Sequence, residues 1–331
     1  MHAILLHEAT FSRLESRLNP YLEKISPVIL HNDGIFRDIQ GKPLDTCTHV
    51  RIAYGTPDVW FSKIALNFVE TCLGADHLAW FQSSAAGIEH PVLQSLRSKA
   101  IVYTASHEQS DAIAEWVLWS GLDWFQAGPA RRAAQAQKTW KRIEFTEIAD
   151  THWLIVGFGA IGQATARLLR KLGAKVTGVR RTSGLHPDAD HMIQPNQLHA
   201  HLGTADAVLL SCPLTAETHG MADKDFFSAM KPGSLFTNVG RGLLVDETAM
   251  LASLDREHLG YAALDVVAVE PLPADNPIWA HPKITLTSHL AADTMGSARR
   301  TDSLFMDNLD RFLNDRPLRN MISETPDTDH T

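Results

Sequence analysis

The stretch Val156-Gly157-Phe158-Gly159-Ala160-Ile161-Gly162 limits the fold of this chain more than any other. GxGxxG spacing alone is a weak signal. Here it follows the apolar run Trp153–Val156 and opens a segment where Ile161, Ala164, Leu168, Leu169 and Leu172 recur at helical spacing. Gly173 ends that segment, and a second apolar strand, Lys175–Val179, begins at once. The strand–turn–helix–strand context turns the glycines into a reading with a mechanism. Gly157 permits a tight turn, Gly159 lets the backbone approach a ligand, and Gly162 lets helix and strand pack closely. The first helical N–H groups, at Ala160 and Ile161, then face an anion, as a dinucleotide pyrophosphate requires.

The end of the second strand selects among dinucleotides. An Asp or Glu there would bind the ribose 2′-hydroxyl. This chain instead reads Val179-Arg180-Arg181-Thr182-Ser183, and its next acid is Asp188. Two guanidinium groups attract a 2′-phosphate, which a carboxylate would repel. NADP(H) is therefore expected in preference to NAD(H), with Arg180, Arg181 and Thr182 beside the phosphate; NAD(H) stays possible.

The 331 residues suffice for two domains. Ahead of the glycine motif, strands are expected at Ala3–Leu6, Val28–Leu30, His49–Tyr54, His77–Gln82 and Ala100–Thr104, with a helix carrying Phe11, Leu14, Leu18, Leu22 and Ile25. Behind it, Ala207–Ser211, Ser234–Val239, Ala262–Val267 and Ile284–Thr287 continue the series, and Ser297–Leu313 is helical. Strands alternating with helices predict parallel sheets. Asp111–Gln126 is apolar nearly all round, with Trp116, Trp119 and Trp124, which predicts a helix buried in a core or at a subunit interface. Gly128–Arg142 reads as a basic solvated arm, and Ser323–Thr331 as a polar tail.

Net charge of −8 argues against a nucleic-acid partner, and no apolar run is long enough for a membrane helix. The Met1–Glu8 stretch lacks a basic start and a long apolar run, so no signal peptide is expected. Cys47, Cys72 and Cys212 are odd in number and far apart, which fits a reducing, cytoplasmic setting. His199-Ala200-His201 lacks a third ligand and zinc spacing, so no metal is expected.

Four further segments carry a family resemblance. Phe236–Asp246, with Arg241 in Val239-Gly240-Arg241-Gly242, resembles the Arg signature of the D-isomer-specific 2-hydroxyacid dehydrogenases. Leu264–Leu272, with Asp265 and Glu270, resembles that family's Glu signature, and Thr285–Ala292, with His289, its His signature. Ser211-Cys212-Pro213-Leu214-Thr215 with Thr218 resembles its cofactor-lining segment. The resemblance is strong over about 111–316 and weaker before. The Arg pair and Glu270-Pro271-Leu272-Pro273 … Pro277-Ile278-Trp279 make the glyoxylate/hydroxypyruvate reductase branch the most similar.

The resemblance implies an α/β fold of two doubly wound parallel-sheet domains. A Rossmann cofactor domain, 105–290, is inserted in a flavodoxin-like substrate domain, 1–104 plus 291–331. It also implies a homodimer joined through the cofactor domain, with helix Asp111–Gln126 as the contact. Cys212, Pro213, Thr218 and Val239 would line the cofactor, and Asp265 would hold the nicotinamide amide. Ala85-Ala86-Gly87-Ile88 resembles the family's Gly-Ala-Gly-Val turn, so Ala86 and Gly87 would offer N–H groups to a substrate carboxylate, with Ala85 in the place of the first Gly. Tyr54 would belong to a second substrate loop.

The chemistry asks for the same residue types on its own terms. Reducing a small 2-oxo acid needs a proton donor titrating near neutrality, which suits His289. A neighbouring carboxylate, Glu270, favours the imidazolium and orients its ring. The substrate carboxylate and carbonyl need a fixed forked cation, which suits Arg241. Two alternatives use the same residues: a dinucleotide-sensing scaffold or corepressor, and a phosphite-type dehydrogenase. A formate-type enzyme is disfavoured, because that branch carries Gln in the place of Glu270.

Overall fold

The computed structural model describes residues 1–322 apart from Thr46, Glu89 and Ser183. The expected polar tail, Ser323–Thr331, lies outside the described residues. The chain forms two compact units. One comprises Met1–Glu108 with the returning segment from Met295; the other is Gln109–Thr294. Both crossovers fall four residues later than the expected boundaries. At the first, the Ala105 N–H donates to Asn320 O and the Ser106 N–H to Ala85 O, which ties these residues into the first unit. At the second, the N–H groups of His289, Leu290 and Ala291 all donate to Asp265, which holds this strap in the second unit.

The first unit holds strands β1 (His2–His7), β2 (Ile25–Leu30), β3 (Phe36–Arg37), β4 (Val50–Gly55), β5 (Trp80–Ser83) and β6 (Val102–Thr104). Their order is β3-β2-β1-β4-β5-β6, parallel except for β3. Without that edge hairpin the order is that of the flavodoxin-like sheet. The first helix, Glu8–Leu18, starts where the His7 ring accepts the Ala9 N–H and buries Thr10, Leu14 and Leu18. It stops short of the expected Ile25, because Pro20 sits in the turn Asn19–Tyr21 and Ile25 already belongs to β2.

Tyr54 corrects a sequence expectation. Its side chain is fully buried, its hydroxyl donates to Asp302 (3.0 Å), and its ring stacks on Phe305 at 4.3 Å between centroids. It is a core residue of this unit, with no face left for a substrate.

The second unit holds β7 (His152–Val156), β8 (Lys175–Val179), β9 (His191–Ile193), β10 (Ala207–Leu210), β11 (Leu235–Asn238), β12 (Tyr261–Leu264) and β13 (Ile284–Leu286). All are parallel, in the order β13-β12-β11-β10-β7-β8-β9. This is the Rossmann order with a seventh strand, and β7 and β10 flank its switch point. Strands β3 and β9 are too short for their alternation to be read from sequence.

Helix Ser110–Phe125 packs on this sheet through Ala112, Ala114, Val117, Ser120 and Gly121. A Cβ at Gly121 would lie 2.7 Å from the Trp153 ring, so the helix sits as close as glycine allows. It is not buried all round, as its composition suggested: Trp119 is 48% exposed. Much of the presumed solvated arm is itself helical, over Gly128–Ala136, with Ala134 buried.

Candidate active site

The turn after β7 is built as its glycines require. Gly157 has φ +93°, and a Cβ there would collide with the backbone of Ser211 and Cys212. A Cβ on Gly162 would collide with the Gly157 carbonyl. The space a Cβ on Gly159 would enter is open. Helix Ala160–Lys171 has no side-chain cap at Gly159, so its first N–H groups, at Ala160, Ile161 and Gly162, point to a place an anion can fill.

Beyond β8, the Arg180 N–H donates to Ile193 O and its Nε to Thr182 O (3.1 Å). Arg181 and Thr182 are exposed. Both guanidinium groups thus lie at the strand end where the sequence puts a 2′-phosphate. On the segment after β10, Cys212 is buried, which pushes its thiol up to about 11 and keeps it neutral. Thr218 Oγ1 donates to Pro213 O (2.7 Å) and accepts the Thr215 N–H (2.8 Å), folding this loop on itself. Val239 is buried just past β11. An open crease at a helix start, lined by backbone and edged by two arginines, fits a dinucleotide.

Arg241, Glu270 and His289 follow β11, β12 and β13. Asn238, fully buried at the end of β11, fixes the first loop: its Nδ2 donates to Arg241 O (2.9 Å) and its Oδ1 accepts the Gly240 N–H (3.0 Å). A Cβ on Gly242 would overlap the Val267 carbonyl, so the Arg241 loop lies directly on the Glu270 loop. Glu270 Oε1 accepts the Val267 N–H (3.1 Å), and Oε2 faces His289 Nδ1 at 2.8 Å.

The His289 backbone is held in the left-handed region, φ +57°, which non-glycine residues seldom adopt. Asp265 holds it there. Its carbonyl accepts the His289 N–H (2.7 Å). Its carboxylate, almost wholly buried, accepts Thr287 Oγ1–H (2.5 Å) and the N–H groups of Leu290 (2.9 Å) and Ala291 (3.1 Å).

The electrostatics follow from this geometry. The hydrogen bond to Glu270 raises His289 above its ordinary value, against partial burial and the charge of Arg241, which act the other way. Burial alone would raise Glu270. The His289 and Val267 hydrogen bonds and the charges of His289 and Arg241 outweigh it and bring Glu270 below the usual range. The charge of Arg241 acts on both partners. A raised His beside an ionised Glu is set up to donate a proton, and its Nε2 has no partner among the described residues.

The turn after β5 belongs to the first unit. Ala85, Ala86 and Gly87 all avoid the left-handed region, so Ala85 fits in the place of the family's first Gly. The Ser83 hydroxyl accepts the Ala85 N–H (3.0 Å), while the N–H groups of Ala86 and Gly87 find no acceptor among the described residues. Sequence reasoning missed Asn238 and Thr287. The only signal was a polar side chain closing an apolar strand. His199 and His201 lie on a short helix, and no group of three His, Cys, Asp or Glu suited to a metal occurs among the described residues. No helix there is long and apolar enough to cross a membrane.

The sequence profile of the D-isomer specific 2-hydroxyacid dehydrogenase NAD binding domain matches residues 121–291. Glyoxylate/hydroxypyruvate reductase A of Salmonella paratyphi B is 30% identical over 180 residues, which are 54% of this chain and 58% of that protein. The match therefore spans little more than half of that relative. Among solved structures, a D-isomer specific 2-hydroxyacid dehydrogenase family protein from Aeromonas salmonicida is 26% identical, with a TM-score of 0.78 over 97% of this chain and 98% of that one. The NADPH-dependent glyoxylate/hydroxypyruvate reductase of Sinorhizobium meliloti, solved with NADP and sulfate, is 24% identical, with a TM-score of 0.78 over the same shares; it shows the shared fold. The profile covers more than half of the 331 residues and includes the glycine turn, Arg241, Glu270 and His289, so the chain belongs to the D-isomer-specific 2-hydroxyacid dehydrogenase family.

Proposed function

We propose that this protein reduces a small 2-oxo acid, of the glyoxylate or hydroxypyruvate class, to the D-2-hydroxy acid with NADPH. The observation that carries the reading is the His289–Glu270 pair at 2.8 Å, on which the charge of Arg241 acts. NADPH, when bound, supplies the hydride. Gly157, Gly159, Ala160, Ile161 and Gly162 would hold its pyrophosphate, and Arg180, Arg181 and Thr182 its 2′-phosphate. Cys212, Pro213, Thr218 and Val239 would line the remainder.

Arg241 clamps the substrate carboxylate and polarises the carbonyl, and its fork geometry suits both tasks. His289 keeps Nδ1–H on Glu270 and carries the transferable proton on Nε2, which it gives to the carbonyl oxygen. Glu270 stabilises the imidazolium before transfer and fixes the tautomer after it. Ala86 and Gly87 would offer backbone N–H groups to the substrate carboxylate. Asp265 would hold the nicotinamide amide, as the resemblance implies, and has a second role beside it. Its carboxylate is engaged by Thr287, Leu290 and Ala291, so it also acts as a positioning residue for His289.

The name of the Salmonella relative supports the substrate class, and the Arg pair supports the cofactor. The exposed edge of helix Ser110–Phe125, with Trp119 outermost, is the face on which a homodimer would form.

Initial rates with NADPH and NADH against glyoxylate, hydroxypyruvate, pyruvate and a bulky aryl 2-oxo acid test the reading. NADPH-dependent turnover of the small acids supports it. Turnover with NADH alone overturns the cofactor assignment. Dinucleotide binding without turnover of any acid moves the weight to the scaffold alternative, and turnover of phosphite to the phosphite-type one.

A further inference from the structure

A cavity of about 390 Å³ opens within the first unit, between the helix Met295–Leu313 and the segment that follows it. Arg299, Arg300, Arg319, Ser303 and Glu108 line it. A fourth cation reaches the same place, because Arg17 Nη1 donates to Ser303 Oγ (3.4 Å). Three arginines thus line the cavity and a fourth bonds to one of its lining residues, against Glu108 in the lining and Asp307 beside Arg319, in a chain whose net charge is −8.

Among the described residues, Arg17, Arg299 and Arg300 have no carboxylate partner, and Arg319 shares Asp307 with Arg311. Arg300 Nε donates to the Glu108 carbonyl (2.9 Å) and one terminal nitrogen to Ser297 Oγ (3.4 Å), which fixes the fork without a counter-charge. Arg319 is anchored through its backbone, its N–H donating to Asn308 Oδ1 (2.8 Å) and its carbonyl accepting from Asn308 Nδ2 (3.2 Å). Its guanidinium reaches one acid, Asp307, at 3.4 Å. Among the described residues, Arg17 reaches only the Ser303 hydroxyl. The Arg299 side chain is exposed and has no hydrogen-bond or ion-pair partner among the described residues. Like charges gathered round a cavity repel one another unless an anion lies among them.

We propose that this cavity is a binding site for a small phosphate monoester, separate from the dinucleotide crease on the second unit. Forks that converge from several directions match a tetrahedral group with three free oxygens better than a flat carboxylate with two. The volume suits a small metabolite. Nothing in this assignment depends on the 2-oxo acid reading, since every residue it uses lies in the first unit.

Isothermal titration of the full-length protein with glycerol 3-phosphate tests it, with glycerol and succinate as controls. The Arg180→Ala/Arg181→Ala variant is titrated in parallel, so that phosphate drawn to the dinucleotide crease is not counted. Glycerol 3-phosphate should bind with a dissociation constant of about 1 mM or tighter, and glycerol should give no heat. Arg299→Ala and Arg319→Ala should each weaken binding by about tenfold, and Arg299→Lys by less. Arg299 has no partner to lose, so Arg299→Ala keeps its fold and decides the matter if Arg319→Ala does not. No heat up to about 10 mM, binding unchanged in Arg299→Ala, or succinate binding equally well would each overturn the proposal.

Discussion

Glu270 Oε2 lies 2.8 Å from His289 Nδ1, and each partner moves the other's titration in the direction that keeps both charged. His289 is raised above 6.5, so the pair's contribution to stability is fully present below that pH and is lost as pH rises through the folded value. Glu270 is lowered below 4.5, so its contribution is present above that pH and is lost as pH falls through its own folded value. The pair is therefore charged on both sides in a window that includes weakly acidic pH.

A pH dependence of activity follows. Reduction needs protonated His289, so kcat/KM for a 2-oxo acid should fall as pH rises, with an apparent pKa above 6.5. Glu270→Gln removes the carboxylate whose hydrogen bond and charge raise His289 and should move that fall to lower pH. His289→Gln should lower kcat by about 10²–10⁴-fold at every pH. A pH–rate series on the three proteins checks this, and an unmoved profile in Glu270→Gln would contradict the pair's role.

Asp265→Asn tests the strap that carries His289. The amide keeps one acceptor but turns an N–H₂ toward the Leu290 and Ala291 N–H groups or the Thr287 hydroxyl. Losing charge-assisted bonds at a buried site should cost about 2–3 kcal/mol of stability, seen as a lower urea midpoint. The fall in kcat should exceed any change in KM for NADPH. A predominant rise in cofactor KM would instead make the nicotinamide contact the main role of Asp265.

Arg180→Ala/Arg181→Ala should raise KM for NADPH by about 10–100-fold and leave KM for NADH nearly unchanged. The readout is the ratio of the two, which general damage to the fold would not shift.

Gly162→Ala places a methyl group against the Gly157 carbonyl. Relief requires the helix to move off β7, at about 1–3 kcal/mol. The melting temperature and NADPH affinity should fall together, whereas Gly159→Ala, which meets open space, should affect binding far more than melting.

Trp119→Glu should shift a dimer toward monomer in light scattering without lowering the melting temperature at high dilution. That ring is about half exposed and lends little to its own protomer's core. An unchanged mass would remove this helix as the interface.

Much of this was legible in the residues because it depends on local patterns. Apolar runs at strand period, helical spacing after Gly159, and the arginines that close β8 are contiguous, so backbone sterics and periodicity suffice to read them. Arg241, Glu270 and His289 were legible because each stands in a short signature just after a strand. Other features required distant segments to meet. Tyr54 became a core residue only because Asp302 and Phe305, some 250 positions away, fold against it. Asp265 took hold of the His289 strap because β12 and β13 pair in parallel and bring both strand ends to one edge. The arginine cavity joins residues 108, 299, 300 and 319, with Arg17 bonded to its Ser303, which no sequence window contains. Secondary structure and chemical type are fixed by near neighbours. Which polar groups satisfy one another, and which charges stay unsatisfied, is fixed by burial, and burial belongs to the folded chain alone.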